Sequence, residues 1–500
     1  MIEENVDVLI IGAGLSGIGA ASHLTRECPG KSFVILEGRD AIGGTWDLFR
    51  YPGIRSDSDM FTLGYNFKPW TGKKGIADGD SIREYICETA DEHNVKDKIR
   101  FGHQVTRLSW STQESMWTLE VDDKNTQEKK IFKSNFIISC AGYYNYKAGY
   151  EPEFKGRDRF QGTVIHPQLW PKDFDYSDKR VVVIGSGATA VTLVPAMTDK
   201  AKHVTMLQRS PSYVIAVPQA DTLLRKMREY LPEKWVYRLV RTRNVLFSMA
   251  FYRFCLAFPD KARKFLMSGV EKEIGPNVDM KHFSPAYNPW DERVCAVPDG
   301  DMFTAIKRGD ASVVTDHIET FTEQGIKLKS GEELEADIII TATGLDLQMF
   351  GGMQIIVDGE TFDTSKKMGY RGVMLEGLPN MGAIFGYTNA SWTLKADLVT
   401  KYLCRLLKYM DREGVRQCTP KNVDALVKPE AVIKMQSGYI KRAEGKVPKQ
   451  GSKHPWKLYQ NYAFDMATLK FTKINDGVLE FSNSSESIAD ENIDSNAVTG

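Results

Sequence analysis

Residues 6–17 read VDVLIIGAGLSG, and this stretch decides the fold. Val6–Ile11 is an apolar run broken only by Asp7, which is typical of a β-strand buried on both faces. The run leads directly into a turn with the spacing G-x-G-x-x-G, formed by Gly12, Gly14 and Gly17. Such a turn lets the backbone approach a pyrophosphate, and the helix that follows points its N-terminus at the anion. The stretch therefore predicts a dinucleotide-binding fold.

The residues after this turn support the same prediction. A helical stretch runs to about Cys28, and a second strand, Ser32–Leu36, ends in Glu37, 20 residues beyond Gly17. An acid in this place accepts hydrogen bonds from the ribose of a bound dinucleotide. Taken without the strands and the acid, the three glycines could also form a merely structural turn.

A second opening of the same kind begins at Arg180–Ile184, which reads RVVVI. Its turn consists of Gly185, Ser186, Gly187, Ala188, Thr189 and Ala190. The next strand, His203–Leu207, ends in Gln208, Arg209 and Ser210 instead of an acid. An arginine and a hydroxyl favour the 2′-phosphate of NADPH over the free ribose of NADH. A solvated surface role for Arg209 remains the alternative.

Composition excludes several other classes of protein. The 500 residues are enough for two or three domains. Lys+Arg and Asp+Glu both count 65, so no overall positive charge attracts nucleic acid. The seven cysteines show neither a CxxC pair nor metal-ligand spacing, which argues against a disulfide framework, a dithiol site or a metal site. The acidic start, with Glu3 and Glu4, does not look like a signal peptide, and we expect a cytoplasmic protein.

Two longer motifs resemble one enzyme family. Phe160-x-Gly162-x-x-x-His166-x-x-x-Trp170-Pro171 matches the fingerprint of the Baeyer–Villiger monooxygenases at every fixed position. Residues 43–57, which read GGTWDLFRYPGIRSD, match the other long motif of that family. The chain is thus similar to the class B flavoprotein monooxygenases of Baeyer–Villiger type, and in particular to the ethionamide-activating type of mycobacteria. The resemblance covers nearly the whole chain except the last fifteen or so residues.

The resemblance implies an α/β architecture with two Rossmann-like dinucleotide-binding domains, the NADPH domain being inserted in the FAD domain. The apolar stretches Phe136–Cys140 and Asp337–Thr341, each followed by a small-residue turn, match the crossings between such domains. The expected division is as follows: 1–145 first part of the FAD domain, 146–214 first part of the NADPH domain, 215–295 a helical excursion, 296–374 second part of the NADPH domain, 375–484 second part of the FAD domain, and 485–500 a disordered tail.

The activity implied by the resemblance uses FAD, NADPH and dioxygen. Reduced flavin would form a C4a-peroxyflavin that converts ketones to esters or lactones and also oxidises sulfides. The active-site arginine of the family corresponds to Arg293, which would hold the peroxide as an anion and stabilise the charged adduct. Asp57 corresponds to the carboxylate that pairs with and orients this arginine.

Other site residues are carried over from the same resemblance. His166 and Trp170 would couple domain motion to cofactor placement, or simply pack. Trp392 would reach the nicotinamide cofactor, with core packing as the equal alternative. The remaining expected cofactor contacts are Ser16, Gly44, Thr45, Trp46, Asp47, Leu48, Asp57 and the backbone of Val105 for FAD, and Arg55 and Ser56 for NADP.

The helical excursion has an unusual charge. Residues 221–270 contain eleven basic and four acidic residues, and aromatic residues interleave with them. Basic helices with an apolar face can lie on anionic membranes, so peripheral membrane contact is one hypothesis. A helix pair with one buried and one solvated face is the other interpretation.

Three rival functions remain for comparison. A flavin-containing monooxygenase restricted to S- or N-oxygenation would share the fold, but Trp170 and Arg293 count against it. A disulfide reductase would require a redox cysteine pair, and the sequence has no CxxC or CxxxxC. A non-catalytic scaffold would not need the second turn with Arg209.

Overall fold

The structure is a computed structural model that describes residues 2–219, 221–276, 278–292, 294–432 and 438–483. The helices are α1 (Leu15–Glu27), α2 (Thr45–Leu48), α3 (Met60–Leu63), α4 (Gly79–Glu92), α5 (Ala188–Met197), α6 (Thr222–Tyr230), α7 (Glu233–Ala257), α8 (Pro259–Ile274), α9 (Asp301–Arg308), α10 (Trp392–Glu413), α11 (Gly438–Arg442) and α12 (Tyr462–Phe471). The strands are β1 (Ile2–Ile11), β2 (Phe33–Glu37), β3 (Ile99–Phe101), β4 (His103–Ser111), β5 (Met116–Asp123), β6 (Glu128–Ser139), β7 (Thr163–Ile165), β8 (Arg180–Ile184), β9 (His203–Gln208), β10 (Tyr213–Val217), β11 (Val294–Pro298), β12 (Ala311–Thr315), β13 (Ile318–Phe321), β14 (Gly325–Leu328), β15 (Glu333–Glu335), β16 (Ile338–Thr341), β17 (Gln354–Val357), β18 (Glu360–Thr361), β19 (Gly369–Tyr370), β20 (Met374–Leu375), β21 (Met381–Ala383), β22 (Gln417–Pro420), β23 (Pro429–Ala431), β24 (Lys449–Gly451) and β25 (Leu479–Ser482).

The first strand occupies the interior of the largest sheet, as its apolar run predicts. Parallel β2 and β6 flank it, with Leu9 opposite both Val34 and Ile137. The sheet follows the order β18-β17-β4-β5-β6-β1-β2-β3, and β21 also pairs with β6. Helices α1 and α10 share one buried core with the strands β1 and β2. This sheet and its helices form what we call the outer unit.

A second sheet is inserted between the strands of the first. Its order is β12-β9-β8-β16-β7, and every pair in it is parallel. Helices α5 and α9 contribute to its core through residues such as Leu193 and Phe303. The chain leaves the outer unit after β6 and leaves the inserted sheet after β16, which confirms the two predicted crossings and the predicted insertion. We call this part the inserted unit.

The return to the outer unit comes earlier than the expected boundary at residue 374. Strand β17 pairs with β4, placing Ile355 opposite Leu108, and β19 and β20 join the same sheet through β21. Residues 354–374 therefore belong to the outer sheet. The sequence concealed this return because β17 is a four-residue strand near the sheet edge, too short to show a clear pattern of its own.

The predicted helical excursion consists of α6, α7 and α8. It lies between β10 and β11, which pair with each other in parallel, Tyr213 opposite Val294. Helix α7 docks on the outer unit through the buried Arg241, whose guanidinium donates to the carbonyl oxygens of Phe61 at 2.7 Å and Gly64 at 2.8 Å. Among the helices of the described ranges, none is long and apolar enough to cross a membrane. The predicted tail, 485–500, lies outside the described residues.

Candidate functional site

The first glycine turn joins β1 to α1 and needs glycine for two separate reasons. Gly12 has a φ of +101°, and a Cβ there would lie 2.7 Å from the carbonyl oxygen of Cys140. A Cβ on Gly17 would overlap the carbonyl oxygen of Gly12. Gly14 occupies the N-cap position of α1 and has no side chain to cap it, so the first N–H groups of the helix face outward at the turn. This arrangement fits a pyrophosphate at the helix N-terminus.

Glu37 lies beside this turn, as the sequence predicts. Its carboxylate accepts hydrogen bonds from the backbone N–H of Ala13 at 2.6 Å and of Arg39 at 2.8 Å. Burial raises the pKa of Glu37, and these two hydrogen bonds partly offset the effect. The carboxyl group is thus held in a fixed place at the end of β2, where a ribose would be bound.

The loop of residues 43–59, which we call the bridging loop, starts at the first turn. Gly43 forms a bridge with Gly14, and its N–H donates to the carbonyl oxygen of Ala13 at 3.1 Å. The expected FAD contacts Gly44, Thr45, Trp46, Asp47 and Leu48 follow directly, and four of them form α2. The Thr45 hydroxyl lies 2.5 Å from that of Tyr144. Asp47 is buried between two arginines, Arg39 at 2.6 Å and Arg50 at 2.5 Å.

The second glycine turn joins β8 to α5 in the inserted unit. Gly185 has a φ of +138°, and a Cβ there would overlap the carbonyl oxygen of Ala342. Gly187 has open space around it, with no heavy atom within 4 Å of a built Cβ, and α5 starts there without a side-chain cap. Ala188, Thr189 and Ala190 form the first turn of α5. Open backbone at a helix N-terminus again fits a phosphate group.

Arg209 and Ser210 lie next to this turn, both exposed. The Ser186 hydroxyl donates to the carbonyl oxygen of Ser210 at 3.0 Å, which holds the end of β9 close to the turn. The Arg209 side chain has no ion pair within the described part of the chain, so its charge is available to a phosphate.

The middle of the bridging loop reaches the second turn, so the loop connects both turns. A Cβ on Gly53 would lie 3.1 Å from the carbonyl oxygen of Thr192 in α5. The Tyr51 hydroxyl is close enough to Thr189 for a hydrogen bond, and burial raises the pKa of Tyr51. Residues predicted to contact FAD and residues predicted to contact NADP therefore lie on one continuous loop.

Three further predicted residues lie on this loop. Arg55 forms an ion pair with Asp301 at the start of α9, at 2.5 Å, which links the outer and inserted units. Ser56 is buried, and its hydroxyl accepts from the N–H of Ser58 at 2.9 Å. Asp57 is exposed and close enough to Tyr51 to influence its pKa.

Arg293 lies outside the described residues, but the loop before it makes contacts with two neighbouring elements. Tyr287 accepts a hydrogen bond on its carbonyl oxygen from the Tyr213 hydroxyl at 2.7 Å. The Trp290 ring packs edge to face on Tyr252 of α7, with ring centroids 5.3 Å apart. The loop is thus held between β10 and α7, and it leads directly into β11.

Trp392 lies at the start of α10 and packs against the first glycine turn. Its indole N–H donates to the Ser16 hydroxyl at 2.7 Å, and its ring stacks on Tyr143 with centroids 5.2 Å apart. The residue therefore contacts the predicted FAD contact Ser16 at the first glycine turn. Val105 lies buried in β4, and Trp170 packs edge to face on Phe174 and Tyr176. His166 caps a short helical turn by accepting from the N–H of Gln168.

The sequence reasoning missed the aromatic lining of the first turn and the ionic partner of Arg55. Tyr143, Tyr144 and Tyr146 form a connected aromatic group between the first turn and the bridging loop. Burial raises the pKa of Tyr146 to about 12. The run AGYYNY directly after the predicted crossing strand could have indicated this group. Nothing in the sequence around Asp301 indicates its pairing with Arg55.

A cavity of about 240 Å³ lies between α7 and the segment that precedes α10. Its apolar lining includes Met249, Leu256 and Leu394. Asn389 also lines it, and the buried Oδ1 atom of this side chain has no hydrogen-bond partner among the described residues. Ser248, Arg253, Gln460 and Asn461 line it as well. A cavity of mixed lining with one unsatisfied buried oxygen suits a small ligand that is partly apolar and carries a hydrogen-bond donor, or a water that bridges to a polar group.

Comparisons with known proteins identify the family. The model of the flavin-binding monooxygenase-like family matches residues 76–351, more than half of the chain, and that of the NAD(P)-binding Rossmann-like domain matches residues 10–67. The chain therefore belongs to the flavin-binding monooxygenase-like family, and the monooxygenase family predicted from the two long motifs is confirmed.

The chain is similar to particular relatives along nearly its whole length. It is 52% identical over 485 residues to MymA of Mycobacterium tuberculosis, covering 96% of this chain and 98% of MymA. It is 51% identical over 480 residues to the FAD-containing monooxygenase EthA of the same species, again covering 96% of this chain and 98% of EthA. The structure resembles cyclohexanone monooxygenase from Rhodococcus sp. Phi1 bound to NADP+, with a TM-score of 0.68 over 84% of this chain and 87% of that one. At 22% identity, this last likeness shows the fold alone.

Proposed function

We propose that the protein is an NADPH-dependent Baeyer–Villiger monooxygenase that binds FAD at the first glycine turn and NADPH at the second. Its products would be esters or lactones from ketones, and sulfoxides from sulfides. The observation that carries this proposal is the bridging loop, which contacts both turns in a chain of the flavin monooxygenase family. Two dinucleotides bound there would meet at one loop, as a reaction between them requires.

The residues at each turn suit the proposed cofactors. Gly12, Gly14 and Gly17 leave room for the pyrophosphate of FAD, and Glu37 would accept from its ribose. At the second turn, Gly187 leaves open backbone for NADPH, and the exposed Arg209 would pair with its 2′-phosphate. Bound FAD would supply the redox chemistry, accepting hydride from NADPH and activating dioxygen.

The catalytic roles rest on Arg293 and Asp57. An arginine keeps its proton at any working pH, so Arg293 would hold a fixed positive charge beside the reacting oxygen atoms and stabilise the anion that forms on the ketone. Asp57 would orient that guanidinium by accepting hydrogen bonds from its N–H groups. The contacts of Tyr287 and Trp290 hold the loop that precedes Arg293.

The cavity beside α7 supports a mostly apolar substrate. Met249, Leu256 and Leu394 would remove the hydrocarbon part of a ketone or sulfide from water. Asn389 Oδ1 would accept from a water that also donates to the substrate oxygen, since a ketone has no donor of its own. Replacing water in the site by this lining would also limit loss of the activated oxygen as hydrogen peroxide.

The experiment reduces the FAD-loaded protein with NADPH without oxygen, then mixes it with aerated buffer containing a linear ketone or an aryl sulfide. The proposal predicts ester from the ketone and sulfoxide from the sulfide, each with one NADPH consumed per product. Arg293→Ala should still be reduced by NADPH but form no ester, whereas the neighbouring Glu292→Gln should keep both steps. Sulfoxide without ester would favour the S-oxygenating alternative. Hydrogen peroxide with every substrate would overturn both.

A further inference from the structure

The helical excursion exposes large apolar side chains on α7, at Phe258 between α7 and α8, and on α8. These are Trp235, Leu239, Leu246, Phe247, Phe258 and Phe265, which are between 49% and 71% exposed. Single exposed apolar residues are common on protein surfaces, but a group of this size on one pair of helices indicates an interaction site. We call this group the apolar face.

The apolar face has two parts, a stripe along α7 and a group of phenylalanines shared by α7 and α8. Phe247 belongs to the second part: it lies seven residues after the buried Val240, on the same side of the helix, but is itself 71% exposed. Trp235, Leu239 and Leu246 recur at helical spacing and lie along one side of the helix. Val236 and Val240 lie on the buried side and pack on Phe61 of the outer unit. Phe251 connects the two helices, because its ring centroid lies 6.2 Å from that of Phe247 and 6.4 Å from that of Phe265 in α8.

Positive charge surrounds this face. Residues 221–270 have a net charge of +7, although the whole chain is neutral. Arg238, Arg253, Lys261 and Lys264 of α7 and α8 are exposed, and none of them forms an ion pair within the described residues. Arg238 lies over the Trp235 ring at 5.7 Å, and Lys261 over the Phe258 ring at 5.2 Å. The cations therefore lie immediately beside the apolar side chains.

We propose that the apolar face docks on an anionic lipid bilayer, with α7 lying in the plane of the membrane surface. Apolar side chains would enter the boundary between headgroups and acyl chains, and the flanking cations would pair with the anionic headgroups. Charge complementarity selects this occupant over a second copy of the chain. Two such faces brought together would place the exposed cations of one, Arg238, Arg253, Lys261 and Lys264, against the same cations of the other.

The same helix leads from the apolar face to the cavity. Tyr252 and Leu256 of α7 line the cavity, and Leu256 and Arg253 are exposed at its edge. A substrate dissolved in the bilayer would reach the cavity without first entering water. This part of the inference rests on the proposed function and narrows the substrate class to ketones and sulfides that partition into lipid.

The test is flotation of the FAD-loaded protein with vesicles, comparing phosphatidylglycerol with phosphatidylcholine. We expect binding to phosphatidylglycerol vesicles that weakens as salt is raised. Leu246→Ser/Phe247→Ser should reduce the affinity by about tenfold or more, since it removes two large apolar side chains from the face. Arg238→Glu/Lys264→Glu should reduce it by about thirtyfold or more, because two attractive charges become repulsive. The matched control is Val423→Ser/Leu426→Ser, which removes two equally exposed apolar side chains outside this face and should leave the affinity unchanged.

Three results would overturn the inference: no flotation at low salt, equal loss in the control pair, or a dimer that dissociates in the Leu246→Ser/Phe247→Ser variant, which would assign the face to a second copy. Turnover of a small water-soluble ketone is measured in parallel. All of these variants should retain it, so a loss of membrane binding can be distinguished from a failure of the proposed activity.

Discussion

Arg241→Met offers a quantitative test of how the helical excursion is held on the outer unit. Arg241 is buried, and its Nη1 donates to the carbonyl oxygens of Phe61 at 2.7 Å and Gly64 at 2.8 Å. Each hydrogen bond from a charged donor contributes roughly 1.5–3 kcal/mol, and a methionine leaves both carbonyl groups without their donor. The carboxylate of Asp397 lies further away, 3.5 Å from Nη2 of Arg241, and in the variant it would still accept a hydrogen bond from the N–H of Asn66 at 2.9 Å. We therefore expect a loss of about 3–5 kcal/mol in the docking of α7.

Amide hydrogen exchange of residues 233–257 measures this docking directly, because it reports local opening without requiring two-state unfolding of the whole chain. A loss of that size should speed exchange by about two to four orders of magnitude, up to the limit set by global unfolding. Arg238→Met is the matched control: it lies in the same helix but is exposed, and should change stability by less than about 0.5 kcal/mol. Equal exchange in the two variants would refute the argument that Arg241 holds α7 in place.

The remaining predictions concern the two turns and one buried acid. Gly187→Ala should leave the melting temperature unchanged, because nothing lies within 4 Å of the added methyl group, but it should weaken NADPH binding measured by calorimetry. Gly185→Ala should weaken binding and also lower the melting temperature. Normal NADPH affinity in Gly187→Ala would contradict the second site. In steady-state assays, Arg209→Ala should raise the KM for NADPH by about 10- to 100-fold and have little effect on the KM for NADH. Lys202→Ala is the control. Equal effects on both coenzymes would mean that Arg209 does not contact the 2′-phosphate. Burial acts to raise the pKa of Asp476, but hydrogen bonds from Tyr370 and Arg371 outweigh it and leave the pKa lowered. The ionised carboxylate therefore stabilises the fold at neutral pH, and this stabilisation is lost as the pH falls through the folded-state pKa. The melting temperature of Asp476→Asn should be below that of the parent at pH 7 and approach it below about pH 4. A difference in melting temperature that stays constant with pH would exclude this cause.

The glycine turns were predictable because they depend on local geometry. A positive φ at Gly12 and Gly185, and the close crossing of helix and strand at Gly17, exclude side chains irrespective of the rest of the fold. The buried strands around them, such as Val8–Ile11, are equally local in origin. The family, the insertion of one unit in the other and the helical excursion followed from these turns and from the two long motifs.

The features that the sequence did not predict depend on contacts between distant parts of the chain. Trp392 reaches Ser16 across 376 positions, and Arg55 reaches Asp301 across 246. Neither the chemistry of an isolated tryptophan nor that of an isolated arginine identifies its partner. The early return at β17 was missed for the same reason, because a four-residue strand acquires its place only by pairing with β4. The roles of Arg293 and Asp57 stay predictions.

The bridging loop would make the two proposed nucleotide sites thermodynamically dependent on each other. It is bonded to the first turn at Gly43 and packed on α5 at Gly53, with few residues between these points. Any ligand that shifts the loop at one end changes the free energy of binding at the other end. Reciprocity then requires that FAD change the affinity for NADPH by the same factor by which NADPH changes the affinity for FAD. Loss of flavin from the protein should accordingly be slowed or hastened by the nicotinamide coenzyme alone, before any substrate or oxygen is present.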